Sequence, residues 1–255
     1  MSLVAAEGVK LLSTPSPKVL AAAAVVVPVA FAGLVAGSAG DPAAVTVAVS
    51  QAGFQFGMAP ILALAVASIT TEYRYHTIKA TFLAVPGRGS VLAAKAAVTA
   101  LACAALGLVA AFCALGVAAL LAPRADLALD TAADWRNVAG VAAYYAGAAV
   151  IAVAIGAVVR HTAGALILVL GYAMFAESLV PAIPGAGLAI HRWLPFNVGK
   201  QFLTGGPDPG MPPPGPPAPP PSTALLGPWW ALVYYVGFAL VLLGVAAVVV
   251  RRRDA

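Results

Sequence analysis

The amino-acid sequence predicts an all-α polytopic membrane protein, and three observations carry that prediction. Hydrophobic residues make up 62% of the 255 and charged residues only 9%, with a mean hydropathy of +0.97. Such a chain lacks the polar groups needed to clothe a water-soluble globule. Six apolar runs are each long enough, at ~1.5 Å rise per residue, to cross a ~30 Å hydrocarbon core as a helix. Lysine and arginine also segregate to alternate connections, as the positive-inside rule requires. The expected architecture is a single membrane domain of six transmembrane helices. It carries an N-terminal interfacial amphipathic helix, a cytoplasmic amphipathic helix between spans two and three, and an external re-entrant segment between spans five and six.

Residues 2–18 form the interfacial segment, with Glu7 and Lys10 on one side and Val4, Leu11 and Leu12 on the other, ending in the break Ser13-Thr14-Pro15-Ser16-Pro17. The first long apolar run begins only near Val19, after polar residues, and no clear cleavage site follows it, so the first span is expected to remain in the mature chain. Spans one and two cover residues 19–39 and 45–70, with Gly40-Asp41-Pro42 as the turn between them. Span three, 91–121, exceeds the hydrocarbon thickness, so its Lys95 end is expected to project beyond it. Span four covers 138–159 after a polar loop containing Asp126, Asp130 and Asp134; span five covers 163–180 after the tight turn Arg160-His161-Thr162. Span six covers 229–250 and runs into Arg251-Arg252-Arg253.

Six spans bring both termini to one side. Placing them inside puts ten basic residues in the cytoplasm (Lys10, Lys18, Arg74, Lys79, Arg88, Lys95, Arg160, Arg251, Arg252 and Arg253) against four outside (Arg124, Arg136, Arg192 and Lys200). That bias fixes the expected orientation: a multi-pass protein of the cell membrane with cytoplasmic termini. The formal charge of +5 is explained by that distribution and does not call for a nucleic-acid partner.

The most informative polar stretch is the connection 71–88, which lies on the cytoplasmic side. Wound as a helix, Tyr75, Ile78 and Phe82 share one stripe and Glu72, His76 and Lys79 an adjacent one. Pro86 and Gly87 then turn the chain. The spacing of Glu72, Thr77, Lys79, Pro86 and Arg88 resembles the first cytoplasmic loop of the ABC-2 family of ATP-binding cassette permeases. In that family the loop is the coupling helix that docks on the ATPase subunit. Glu7, Lys10-Leu11 and Ser13 resemble the family's amphipathic connecting helix, although Gly8 and Leu12 stand where an aromatic and further arginines are usual. Trp193-Leu194-Pro195-Phe196-Asn197-Val198-Gly199 resembles the leucine-proline, asparagine and glycine of its external segment.

The resemblance implies an export permease that dimerises with a second permease subunit, identical or closely related, and recruits two copies of a separate ATPase that hold the ATP and Mg. It assigns ATPase coupling to Glu72, Tyr73, Arg74, Tyr75, His76, Thr77, Ile78, Lys79, Phe82 and Arg88, with Glu72 facing a basic group of the partner or bracing Lys79 and Arg88. It assigns external gating to Trp193, Pro195, Phe196 and Asn197. It also makes spans two and five the substrate pathway, so that Gln51, Gln55, Tyr172 and Glu177 become pathway candidates. Read from the residues alone, these polar groups serve equally as hydrogen-bonding contacts between helices. The substrate class expected is a hydrophobic or amphipathic molecule such as a drug, an antibiotic or a lipid.

Chemistry within the chain itself finds no support in the sequence. No phosphate-binding Gly-x-x-x-x-Gly-Lys-Ser/Thr loop occurs, Gly199-Lys200-Gln201 lacking both the earlier glycine and the hydroxyl. His76, His161 and His191 fall in three separate loops, so neither a metal site nor a resident cofactor is expected. Cys103 and Cys113 lie about 15 Å apart along one helix at ~1.5 Å per residue, too far to pair. The external stretch 181–228 contains the low-complexity run 207–221, rich in proline, which reads as a spacer or as a ligand for a proline-binding domain. The alternatives to a permease are a polytopic membrane enzyme, a secondary transporter, and a non-transporting membrane assembly or immunity protein.

Overall fold

Helices account for 83% of the residues that the computed structural model describes, which are 15–41, 44–75, 77, 88–205 and 222–253. No strand occurs among them. Six helical stretches are long and apolar enough to cross a membrane: Ser16–Ser38, Val47–Arg74, Gly89–Leu121, Ala132–Val159, Thr162–Ala182 and Pro228–Arg253. The chain is a multi-pass membrane protein.

The first helix, α1 (Pro15–Ser38), starts earlier than the expected span, because Pro15 and Pro17 sit in its first turn, where proline costs no hydrogen bond. They therefore belong to the helix and do not separate it from an interfacial segment. Span two is interrupted. A short α2 (Val47–Ser50), capped by the Thr46 hydroxyl, is followed by a turn and then α3 (Phe54–Arg74). Gly53 and Gly57 allow α3 to lie against α1. A Cβ at Gly53 would come 2.6 Å from the Pro28 carbonyl oxygen, and one at Gly57 would overlap the Pro28 ring and the Tyr145 hydroxyl. The Gly-x-x-x-Gly spacing here marks a true close crossing.

α3 continues to Arg74, so Thr71, Glu72 and Tyr73 extend span two and do not begin a separate loop helix. α4 (Arg88–Leu121) is the long third span. Its Lys95 is 2% exposed and turns inward to a carboxylate on α3. α5 (Ala132–Val159) begins six residues before the expected span, because Thr131 and Asp134 form a reciprocal capping box. Asp134 is thus the third residue of a helix and not part of the loop.

α5 is the central element. It packs on α3, α4 and the later helices Pro195–Thr204 and Pro228–Arg253, and two thirds of its most apolar stretch is buried, against 17% for span five and 22% for span six. Aromatic rings fill the space around it. Tyr144 stacks on Tyr235 at 5.6 Å and meets Phe54 edge-on at 5.6 Å. The buried hydroxyls are satisfied by backbone: Tyr145 donates to Phe54 O at 2.7 Å and Tyr235 to Tyr144 O at 3.1 Å.

Span five is composite. α6 (Thr162–Leu170) passes through a π-helical turn, Gly171–Ala176, into α7 (Glu177–Leu179) and a 3-10 turn, Val180–Ala182. Two short helices follow, α8 (Gly187–His191) and α9 (Pro195–Thr204), between spans five and six. α10 (Pro228–Arg253) closes the chain, with Arg253 donating to Val158 O at 3.0 Å.

Candidate functional site

Two polar assemblies stand out in this apolar bundle, one at each end of α3. At the Arg74 end, Lys95 Nζ donates to Glu72 Oε1 at 3.0 Å, with Glu72 and Lys95 only 6% and 2% exposed. The pair joins α3 to α4 across the mouth of the 75–87 connection. Further ties surround it. Thr162 donates to Thr70 at 3.0 Å, and the Arg160 guanidinium lies 5.1 Å over the Tyr73 ring. Arg160 takes a left-handed φ of 58°, which ends α5 and aims its side chain back toward Tyr73.

Beyond this buried layer, Arg74 and Tyr75 are exposed, the guanidinium 5.6 Å over its neighbour's ring, and Thr77 is exposed. Of the other residues expected in ATPase coupling, His76, Ile78, Lys79 and Phe82 lie outside the described residues, as do Glu7, Lys10 and Leu11 of the N-terminal segment; Arg88 is described only as the first residue of α4.

At the opposite end a cavity of about 220 Å³ opens between α3, α5, span five and α9. Its apolar wall comprises Phe56, Met58, Tyr144, Ala173, Met174 and Phe196; its polar groups are Gln55, Glu177, Ser178, His191, Asn197 and Lys200. Glu177 is 4% exposed. Its Oε1 accepts the backbone N–H of Asn197, so the carboxylate caps α9 from another element, where Leu194 offers no side-chain cap. Its Oε2 makes no hydrogen bond within the protein, and neither does the buried Gln55 Nε2.

Lys200 lies one turn along α9. Burial lowers its ammonium pKa from the usual 10.5, and the Glu177 charge opposes that shift. The two do not form an ion pair within 4 Å among the described residues.

Asn197 fastens the outer layer. Its Nδ2 donates to His191 O at 2.9 Å and to Thr223 Oγ1 at 3.1 Å; its Oδ1 accepts from Ser222 Oγ at 3.1 Å and Thr223 N at 3.3 Å. Its backbone oxygen takes a second bond from Ser222 Oγ at 2.8 Å. Thr223 Oγ1 also shares a hydrogen bond with His191 Nδ1 at 2.7 Å. Burial, and after it the Lys200 charge, holds His191 below its ordinary pKa of 6.5.

Compared with known proteins, the chain matches no family model and no curated sequence.

The cavity gathers four of the sequence-derived candidates, Gln55, Glu177, Phe196 and Asn197, and leaves out the others. Gln51 does not share a helical face with Gln55, because the turn after α2 separates them; it is 4% exposed and donates to Ala111 O at 3.1 Å and Ser50 Oγ at 3.0 Å, a contact between elements. Tyr172 sits behind Phe196 at 6.1 Å between ring centres, and Pro195 is the buried first residue of α9. Trp193 is half exposed and packs on Tyr234 at 6.2 Å, whose hydroxyl donates to Trp193 O at 2.8 Å.

Among the cavity residues that the sequence did not mark as site candidates are Tyr144, His191 and Lys200. Lys200 was legible as the one lysine after residue 95, inside a stretch otherwise apolar. Among the described residues no cluster of His, Cys, Asp and Glu could hold a metal ion.

Proposed function

We propose that the chain is the permease subunit of an ATP-driven exporter of the ABC-2 type. It would sit in the cell membrane with both termini in the cytoplasm, paired with a second permease subunit and two copies of a separate ATPase that carry ATP and Mg. The observation that carries this reading is the buried Glu72–Lys95 pair. It ties spans two and three together at the point where the 75–87 connection leaves the bundle, so a push on that connection reaches both helices as one body. An uncompensated charge at either position would be costly in so apolar a setting, which keeps the joint closed.

The six apolar helices, and the two short helices between spans five and six, also support it. In the mechanism, closure of the ATPase dimer on ATP presses on the exposed Arg74, Tyr75 and Thr77 surface. Spans two and three swing together, and the inward-facing path between the two permease subunits collapses outward. Hydrophobic or amphipathic molecules are the expected cargo. The chain supplies path and lever, and hydrolysis belongs to the partner.

Affinity capture of the chain from its native membrane in mild detergent, with mass spectrometry of co-purifying proteins, tests this. An ATP-binding cassette ATPase should be recovered with the native chain and lost with Arg74→Glu/Tyr75→Ala, substitutions at exposed positions that leave the buried pair intact. A folded chain that is captured with no such ATPase refutes the permease reading.

A further inference from the structure

The cavity at the Glu177 end has a charge arrangement that selects its ligand. Its two ionic groups, Glu177 and Lys200, face the same space without forming an ion pair with each other. Each therefore keeps unused capacity: Glu177 Oε2 has no protein donor, and the lysine ammonium brings three. The buried Gln55 Nε2 adds another unused donor.

Charge balance then decides among ligand classes. A bare cation would satisfy Glu177 and leave Lys200 facing a like charge, and a bare anion would do the reverse; in a site walled by apolar side chains either excess is costly. A ligand carrying both charges keeps the site neutral and meets both groups. The rings of Tyr144, Phe196 and Phe56 line the same space, and an ammonium among aromatic rings gains cation–π attraction.

Size and access narrow the class further. About 220 Å³ falls below the roughly 300–1,000 Å³ of pockets for drug-sized molecules, so the space suits a small polar group better than a whole amphiphile. The rim includes the exposed Phe56 and Ser178, and the adjoining surface of span five exposes Phe175 and Leu179 at 67% and 66%. An apolar tail attached to the bound group would leave along that surface.

We propose that this cavity binds a small zwitterionic group, with its ammonium on Glu177 Oε2 beside the aromatic wall and its anionic oxygens on Lys200 Nζ and Gln55 Nε2. The group is an amine joined by a short linker to a phosphate or carboxylate, presented either as the headgroup of a zwitterionic lipid or as a free small molecule. As a place on the export path the site rests on the permease reading. As a binding site it does not, and the test uses the chain without any ATPase.

Calorimetric titration of the purified full chain in maltoside micelles, at pH 7.5, distinguishes these cases with three probes: dihexanoyl phosphatidylethanolamine, dihexanoyl phosphatidylglycerol and free phosphoethanolamine. Saturable binding of the ethanolamine lipid, at least tenfold tighter than the glycerol lipid, is expected. Equal affinity for free phosphoethanolamine makes the free molecule the source; a tenfold preference for the lipid makes it the headgroup. Glu177→Gln and Lys200→Gln should each weaken binding about tenfold or more. Because Glu177 also caps α9, its variant can fail to fold; Lys200→Gln and Gln55→Leu then carry the test. Equal binding of both lipids, no binding of either ethanolamine probe, or unchanged affinity in folded Lys200→Gln overturns the proposal. ATPase capture succeeds or fails independently of all these outcomes.

Discussion

Breaking the Glu72–Lys95 pair one side at a time, and then both together, should give strongly non-additive losses of stability. The separation is 3.0 Å and both residues are buried. At an effective dielectric of about 20 the attraction is about 5.5 kcal/mol, opposed by the cost of removing two charges from water. Replacing one partner leaves the other charged and buried, so Glu72→Leu and Lys95→Met should each cost about 3–5 kcal/mol. The double variant removes both charges and fills the space with apolar atoms, so it should lose about 1 kcal/mol or less, and the coupling energy should exceed about 2 kcal/mol. Reversible unfolding in mixed detergent–SDS micelles, followed by tryptophan fluorescence, measures all three. A double variant whose loss equals the sum of the single losses would refute the claim that these side chains act as one joint. The same argument makes Glu72→Ala a poor test of ATPase coupling, since it would damage the bundle as well as any docking surface.

Gly57→Ala should destabilise the bundle by about 1–3 kcal/mol, because its methyl overlaps the Pro28 ring and the Tyr145 hydroxyl; the same unfolding assay reads it, and an unchanged midpoint would show that α1 and α3 can separate freely. Asn197→Ala removes the side-chain bonds that hold Ser222, Thr223 and His191, at about 1–3 kcal/mol for the buried groups left unmatched. Hydrogen exchange at Thr223 and Ala224 should accelerate, and exchange at native rates would argue against Asn197 as the fastener. His191 has its pKa depressed, so the folded state takes up that proton less readily than the unfolded chain. Its effect is absent above about pH 6.5, and stability falls as the pH drops below that value toward the folded-state pKa. His191→Gln should therefore lose less thermal stability than the native chain between pH 7.5 and 5.5, and equal losses would assign the slope to other groups.

The six spans were legible because hydrophobic length is a property of consecutive residues. Where Glu72 points was not legible. An amphipathic wheel puts it on the polar stripe with His76 and Lys79, but its ionic partner Lys95 is 23 residues away on another helix, and periodicity within one segment carries no information about that pairing. The cavity was half legible for the same reason. Gln55 and Glu177 stand out as polar groups in apolar runs and Lys200 as a lone lysine, whereas Tyr144 looks like any core aromatic until α9 is folded back onto α5. The π turn at Gly171–Ala176 has no composition that announces it. Yet it sets the angle at which Glu177 leaves span five, since one residue more or less turns a helix by about 100°.

The Asn197 fastening also bears on how the protein can be handled. Ser222 and Thr223 are bound to α8 and α9 on one side of the 206–221 run, and Gly205 ends α9 on the other. Both flanks are thus secured by contacts among the described residues. Residues 206–221 are therefore the natural place to insert an epitope, a protease site or a fluorescent reporter without moving the cavity or the buried pair.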